Sequence, residues 1–121
     1  MMDTLRNILW VALGGAAGSV MRYLVSRWMV APFPWGTFMV NIVGSLLIGL
    51  LVGLASKEVL SAEMRLLLVT GFCGGFTTFS TFANESYGML ESGHALTAAL
   101  YVSASIFVGI LAVYIGFQLS K

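Results

Sequence analysis

With 121 residues, 59% of them hydrophobic and 9% charged, and a mean hydropathy of +0.95, the chain has the composition of a membrane protein rather than a soluble domain. A formal net charge of +1 excludes a basic footprint for nucleic acid and an acidic tail. The length accommodates about four spans of ~20 residues and no separate soluble domain, so any site lies among the helices.

The first span is expected over residues 4–29. Arg6, the apolar run Ile8 to Ala17 and the small pair Gly18-Ser19 imitate a secretory leader. Cleavage there would expose a glycine-rich surface, so the segment is read as a retained helix. Its middle, GGAAGSVMRY, sets Gly14 and Gly18 four residues apart. Small residues at that spacing let helices approach backbone to backbone, where lipid removes the usual hydrophobic drive. Arg22 and Arg27 mark the approach to one interface, and Trp28, Pro32, Pro34 and Trp35 form an aromatic, helix-breaking connection at headgroup level.

The second span, residues 36–55, is aliphatic and glycine-studded, with a single amide at Asn41. Lys57 and Glu58 return the chain to water, and Ser61 followed by Glu63 reads as an N-cap with a first-turn acid. The third apolar region, residues 62–91, is longer than a bilayer requires. Its centre, GGFTTFSTF from Gly74 to Phe82, crowds two glycines, four hydroxyls and three phenylalanines into nine positions. The last span, residues 95–119, carries Tyr101, Ser103, Ser105, Gly109 and Gly116. Cys73 is the only cysteine; it forms no intrachain disulfide and reads as a packing residue.

The expected fold is therefore all-α and integral to the membrane: one domain over residues 1–121, four transmembrane helices, the third broken near its centre. Gly74 and Gly75 are the natural place for that break. Non-helical backbone survives at membrane depth only when buried in protein or lining a hydrated site. Thr77, Thr78, Ser80 and Thr81 can satisfy the freed groups, and carbonyls left facing inward suit a hard cation such as sodium. If both termini and the second-to-third connection share one side, it holds Arg6, Lys57, Arg65 and Lys121 against Arg22 and Arg27 opposite, four to two. That weak bias allows a single orientation or insertion both ways round, and oppositely inserted copies could pair as an antiparallel dimer.

Phe79 and Phe82 are three apart, on one helical face, with Phe76 a further three back. An aromatic ring is positive around its edge, so a ring presented edge-on solvates a small anion without holding it as tightly as a charged group. Asn41 adds two amide donors, Tyr101 and Ser105 lie four apart on one face, and Ser80 and Thr81 flank the Phe pair. A path of donors and ring edges with no carboxylate suits an anion of small radius.

At GTFMVNIVGSLLIG and GFCGGFTTFSTF, with GGAAGSVMRY in support, the chain resembles the Fluc (CrcB) family of fluoride channels, over its whole length and in the order of its spans. The resemblance implies a dual-topology, antiparallel homodimer with two pores, carrying fluoride passively out of the cytoplasm across a bacterial plasma (inner) membrane and so relieving its toxicity. It implies ring-edge fluoride ligands at Phe79 and Phe82 and a pore amide at Asn41. Thr37, Ser80, Thr81, Tyr101 and Ser105 match pore-lining positions, Arg22 a vestibule arginine, and the carbonyls of Gly74 and Thr77 the ligands of a structural Na+ at the dimer centre. One departure is Gly109, where some relatives carry a further serine. A water or another helix replaces that hydroxyl, or the polar track is shorter.

A proton-coupled exporter of the small multidrug resistance type shares this size and topology, but needs an ionisable carboxylate in the membrane. The first span has none: Asp3, Glu58, Glu63, Glu85 and Glu91 all fall outside it, and only Glu85 approaches a vestibule. An enzyme would need a nucleophile, an acid/base pair or a metal site, and the sole histidine, His94, falls in a connection. A purely structural bundle would use the glycines but gives no role to Asn41.

Overall fold

The computed structural model describes residues 2–121, and among them it is all helix and connection, with four helical spans long and apolar enough to cross a membrane. Helix α1 covers Met2–Trp28 and α2 Trp35–Ser56. The third span opens with α3 (Ala62–Arg65), continues as a wide-turned π-helical segment (Leu66–Cys73) and then α4 (Gly74–Phe76), and resumes after an interruption as α5 (Phe79–Glu91). Helix α6 covers Ala95–Leu119. Ser61 caps α3 as its sequence suggests, its Oγ accepting the Met64 N–H at 3.1 Å. Gly93 turns the chain into α6 at φ +81°, a conformation that favours glycine.

Two seams hold the spans together, and both depend on absent side chains. Along the first, α1 lies against the leading half of the third span. A Cβ on Gly14 would overlap Leu67 O and come within 2.9 Å of Phe72 N; one on Gly18 would overlap Phe72 O. The π-helical turns therefore present their carbonyls directly to the glycine face of α1, and the widened stretch sits where the two backbones meet. Along the second seam, α2 and α6 run parallel, with Gly49 against Val113 O and Gly116 against Leu46 O. In lipid, such contacts replace the hydrophobic drive with dispersion and weak Cα–H···O bonding.

The enclosed core is small. Val40, Leu51, Cys73, Phe76, Ala98, Tyr101 and Ala112 are its buried apolar residues, while Leu9, Leu13, Leu100, Phe107, Ile110 and Tyr114 point outward. Outward apolar side chains are the expected arrangement where the solvent is hydrocarbon. Helix α5 buries no residue of its own, and Phe79, at its start, is 79% exposed.

The interruption in the third span is not at the glycines. Gly74 is helical (φ −63°, ψ −38°), and the extended residues are Thr77 (φ −88°, ψ 160°) and Thr78 (φ −150°, ψ 122°). Gly75 instead serves close approach, since a Cβ there would lie 2.5 Å from Gly15 O. Phe76 is likewise displaced from the Phe79/Phe82 row: it lies before the break and stacks on Phe72 with ring centroids 5.6 Å apart.

Neighbouring glycines give a sharp contrast. Gly14→Ala forces its methyl into Leu67 O, whereas a Cβ on Gly15 meets only Gly71 O, at 3.8 Å. Gly14→Ala is expected to cost about 1–3 kcal/mol and Gly15→Ala to be tolerated. Thermal unfolding of the purified variants in detergent, followed by loss of the monodisperse peak, measures both.

Candidate functional site

The break is built from one reciprocal amide pair. Thr78 N–H donates to Asn41 Oδ1 at 2.8 Å, and Asn41 Nδ2 donates to Thr78 O at 3.1 Å. A side-chain amide thus offers the donor and acceptor that a helix would have given Thr78. Thr77 Oγ1 folds back onto Cys73 O at 2.8 Å, and its methyl fills the space that a side chain at Gly44 would need. Thr78 Oγ1 accepts the Thr81 N–H at 3.3 Å and so caps α5. Among the four hydroxyls expected to serve the break, Thr78 does so; Thr77 Oγ1 only adds a second donor to Cys73 O, which already accepts the Thr77 N–H at 3.1 Å, and Ser80 and Thr81 are exposed.

Interrupting the ladder frees carbonyls at the end of α4. Gly74 O loses the Thr78 N–H to Asn41. Gly75 O is taken by Arg22, whose Nε donates to it at 3.0 Å. Arg22 therefore seals the end of the leading half-helix, where a positive charge also meets the negative end of the helix dipole.

Beside the break lies a cleft of about 600 Å³, walled by residues that include Asn41, Ser45, Thr70, Thr78, Phe79, Phe82 and Ser105, and by no charged side chain. The Phe79 and Phe82 rings stand 6.0 Å apart, tilted at 53°. The structure thus gathers four of the expected path residues, Asn41, Phe79, Phe82 and Ser105, around one space, with Gly74 and Thr77 on its wall. Ser105 Oγ is buried there without a protein partner.

Thr37 and Tyr101 belong to an adjoining cluster. Phe82 bridges the two, its ring centroid 5.1 Å from that of Tyr101, which also makes a T-shaped contact with Phe33 at 5.3 Å. Here Glu85 receives two hydroxyl protons, from Thr37 Oγ1 at 2.9 Å and Tyr101 Oη at 3.0 Å. A hydroxyl has one proton to give, so both are committed to a carboxylate at this end. The expectation of a path without a carboxylate is corrected at this point. Glu85 makes no ion pair among the described residues, where the only bridges join Arg6 to Asp3 and Glu63. Its position was readable in principle: it follows Phe82 by three residues, on the same face. Ser45 was readable in the same way, four residues after Asn41 on one face of α2; Phe33 carried no comparable signal.

A family model described as "CrcB-like protein, Camphor Resistance (CrcB)" matches residues 9–117. The chain belongs to the CrcB family. Its similarity to individual relatives covers nearly the whole chain. A protein of Agrobacterium fabrum named fluoride-specific ion channel FluC is 52% identical over 95% of this chain and 96% of its own length. Proteins of the same name from Chlorobaculum tepidum and Flavobacterium psychrophilum are 50% and 43% identical, each over 97% of this chain. These relatives are named as channels, not as enzymes.

Asn41→Asp keeps the acceptor for Thr78 N–H but sets a second carboxylate oxygen against Thr78 O, where the amide donated at 3.1 Å. Hydrogen exchange at residues 77–79 is expected to rise by about tenfold, because repulsion between the new carboxylate oxygen and Thr78 O opens the break. Mass spectrometry of the protein in nanodiscs reads it. Unchanged protection would mean that the amide pair does not hold the break.

Proposed function

We propose that the chain is a fluoride-selective channel that lets the ion leave the cytoplasm passively and so protects the cell from fluoride. The observation that carries this reading is the uncharged cleft beside the broken third span, which brings Phe79, Phe82, Asn41 and Ser105 together among spans apolar enough to cross a membrane. The names of the relatives agree with it. Fluoride is small and strongly hydrated, so a path must return much of its hydration energy without a formal charge that would trap the ion. Ring edges and neutral donors do this. At the Glu85 end, an anion would compete with the carboxylate for the Thr37 and Tyr101 hydroxyl protons. Ser80 and Thr81, exposed in the single chain, face the path once a second chain covers them.

The same reading takes the working unit to be an antiparallel homodimer with two pores. Helix α5 buries nothing within one chain, and Phe79 stands open; a second copy supplies the missing wall. The near balance of basic residues between the two ends suits insertion both ways round in a bacterial plasma (inner) membrane. Arg22, sealing Gly75 O, lies toward a vestibule with its remaining donors unspent.

A structural Na+ fits the break. Gly74 O is freed by the diversion of Thr78 N–H, and no atom lies within 4 Å of a Cβ placed on Gly74, so a second chain can come close. Gly74 and Thr77 would hold the ion by their carbonyls, two from each chain, the oxygen donors a hard cation prefers. It would supply positive charge that keeps the two breaks together.

Efflux from liposomes holding the purified protein is expected to release fluoride and retain chloride. Phe79→Ile and Phe82→Ile keep bulk but lose the ring edge, and each should reduce fluoride flux at least about 100-fold, the order expected when a dedicated ion ligand is removed. Flux equal to the native protein in both would overturn the pore assignment. For topology, Lys121→Cys in a Cys73→Ser background should react with a membrane-impermeant maleimide from outside cells to roughly half of its total. Labelling that is all or none would contradict dual insertion.

A further inference from the structure

We infer that Ser45 is a further anion-binding residue of the path, the donor of a third polar rung one helical turn beyond Asn41. This rests on the channel reading above. Helices α2 and α6 run side by side in the same direction, in a constant register: Gly49 meets Val113, and a Cβ on Gly109 would lie 3.7 Å from Ser45 Oγ. In that register the polar residues of the two helices pair at each turn. Thr37 and Tyr101 share Glu85, and Asn41 and Ser105 share the cleft. Ser45 and Gly109 stand at the next turn, and Ser45 is the only one of the two with a side chain.

Ser45 also lines the cleft. Its hydroxyl rests on Asn41 O at 2.6 Å, the usual back-bond of a serine within a helix. That carbonyl keeps its helical N–H partner when the hydroxyl rotates, so Ser45 can turn its proton to an anion without orphaning a backbone group. Ser105 Oγ, buried and without a partner, is the neighbouring donor on the same wall. An anion handed on from Ser105 finds no hydroxyl on α6 one turn further, because Gly109 has none, and finds one across the seam at Ser45.

The test is fluoride efflux from liposomes, with the native protein as reference. Ser45→Ala is expected to lower flux about tenfold, as for a lost hydrogen bond to a charged group. Adding Gly109→Ser to that variant is expected to restore most of it, since the new Cβ sits at ordinary contact distance and brings a hydroxyl to the same rung. Native flux through Ser45→Ala overturns the inference while leaving the channel reading intact; absence of flux through the native protein overturns both. Should Ser45→Ala fail to assemble, the shape-matched variants S45T and S45V carry the test. Only the threonine form is expected to conduct at near-native rate, and equal flux through the two overturns the assignment.

Discussion

A backbone amide and carbonyl cannot be left unpaired in hydrocarbon, and this fold turns on where those of Thr78 go. Each unsatisfied group costs several kcal/mol there, enough to close most interruptions of a helix back into regular geometry. Asn41 removes the penalty by answering both groups of Thr78 with one side-chain amide. Arg22 takes up Gly75 O. Once the chain is free to run extended for two residues, α5 can start afresh with Phe79 and Phe82 beside Asn41 and Ser105.

The site's electrostatics follow from the same economy of charge. The cleft wall has no ionised group, while the charged residues that touch the arrangement are held at its edges: Arg22 against the end of the leading half-helix, Glu85 under the hydroxyls of Thr37 and Tyr101. Neutral donors and ring edges then form the middle, where a fixed charge would bind an ion too tightly to release it. The glycine seams serve this by leaving little freedom between helices: α1 fixes the leading half of the third span, and α2 and α6 are locked in a register that stacks polar residues at successive turns.

Much of this was legible in the amino-acid order. Hydropathy alone marks the spans, because a helix in lipid shows its apolar surface outward and little else competes with that signal. Ser61 declared its cap. The break was legible as an event but not in place. Glycine is read as a breaker from its freedom in water, whereas Gly74 stays helical and Gly75 admits the Gly15 carbonyl. The actual break lies where a partner 37 positions away in sequence, Asn41, can take over the hydrogen bonds, and only the tertiary arrangement reveals that. Glu85 reads from sequence only as a nearby acid, since nothing local says that its two oxygens accept hydrogen bonds from two other helices.

Solid-state NMR of the isotope-labelled protein in lipid bilayers tests the central claim most directly, through the Cα and Cβ shifts of residues 74–80 and through-space contacts from the Asn41 side chain. The account predicts helical shifts at Gly74 to Phe76, extended shifts at Thr77 and Thr78, and a contact between the Asn41 amide group and Thr78. Helical shifts running unbroken through Thr77 and Thr78, with Asn41 remote from them, would contradict it.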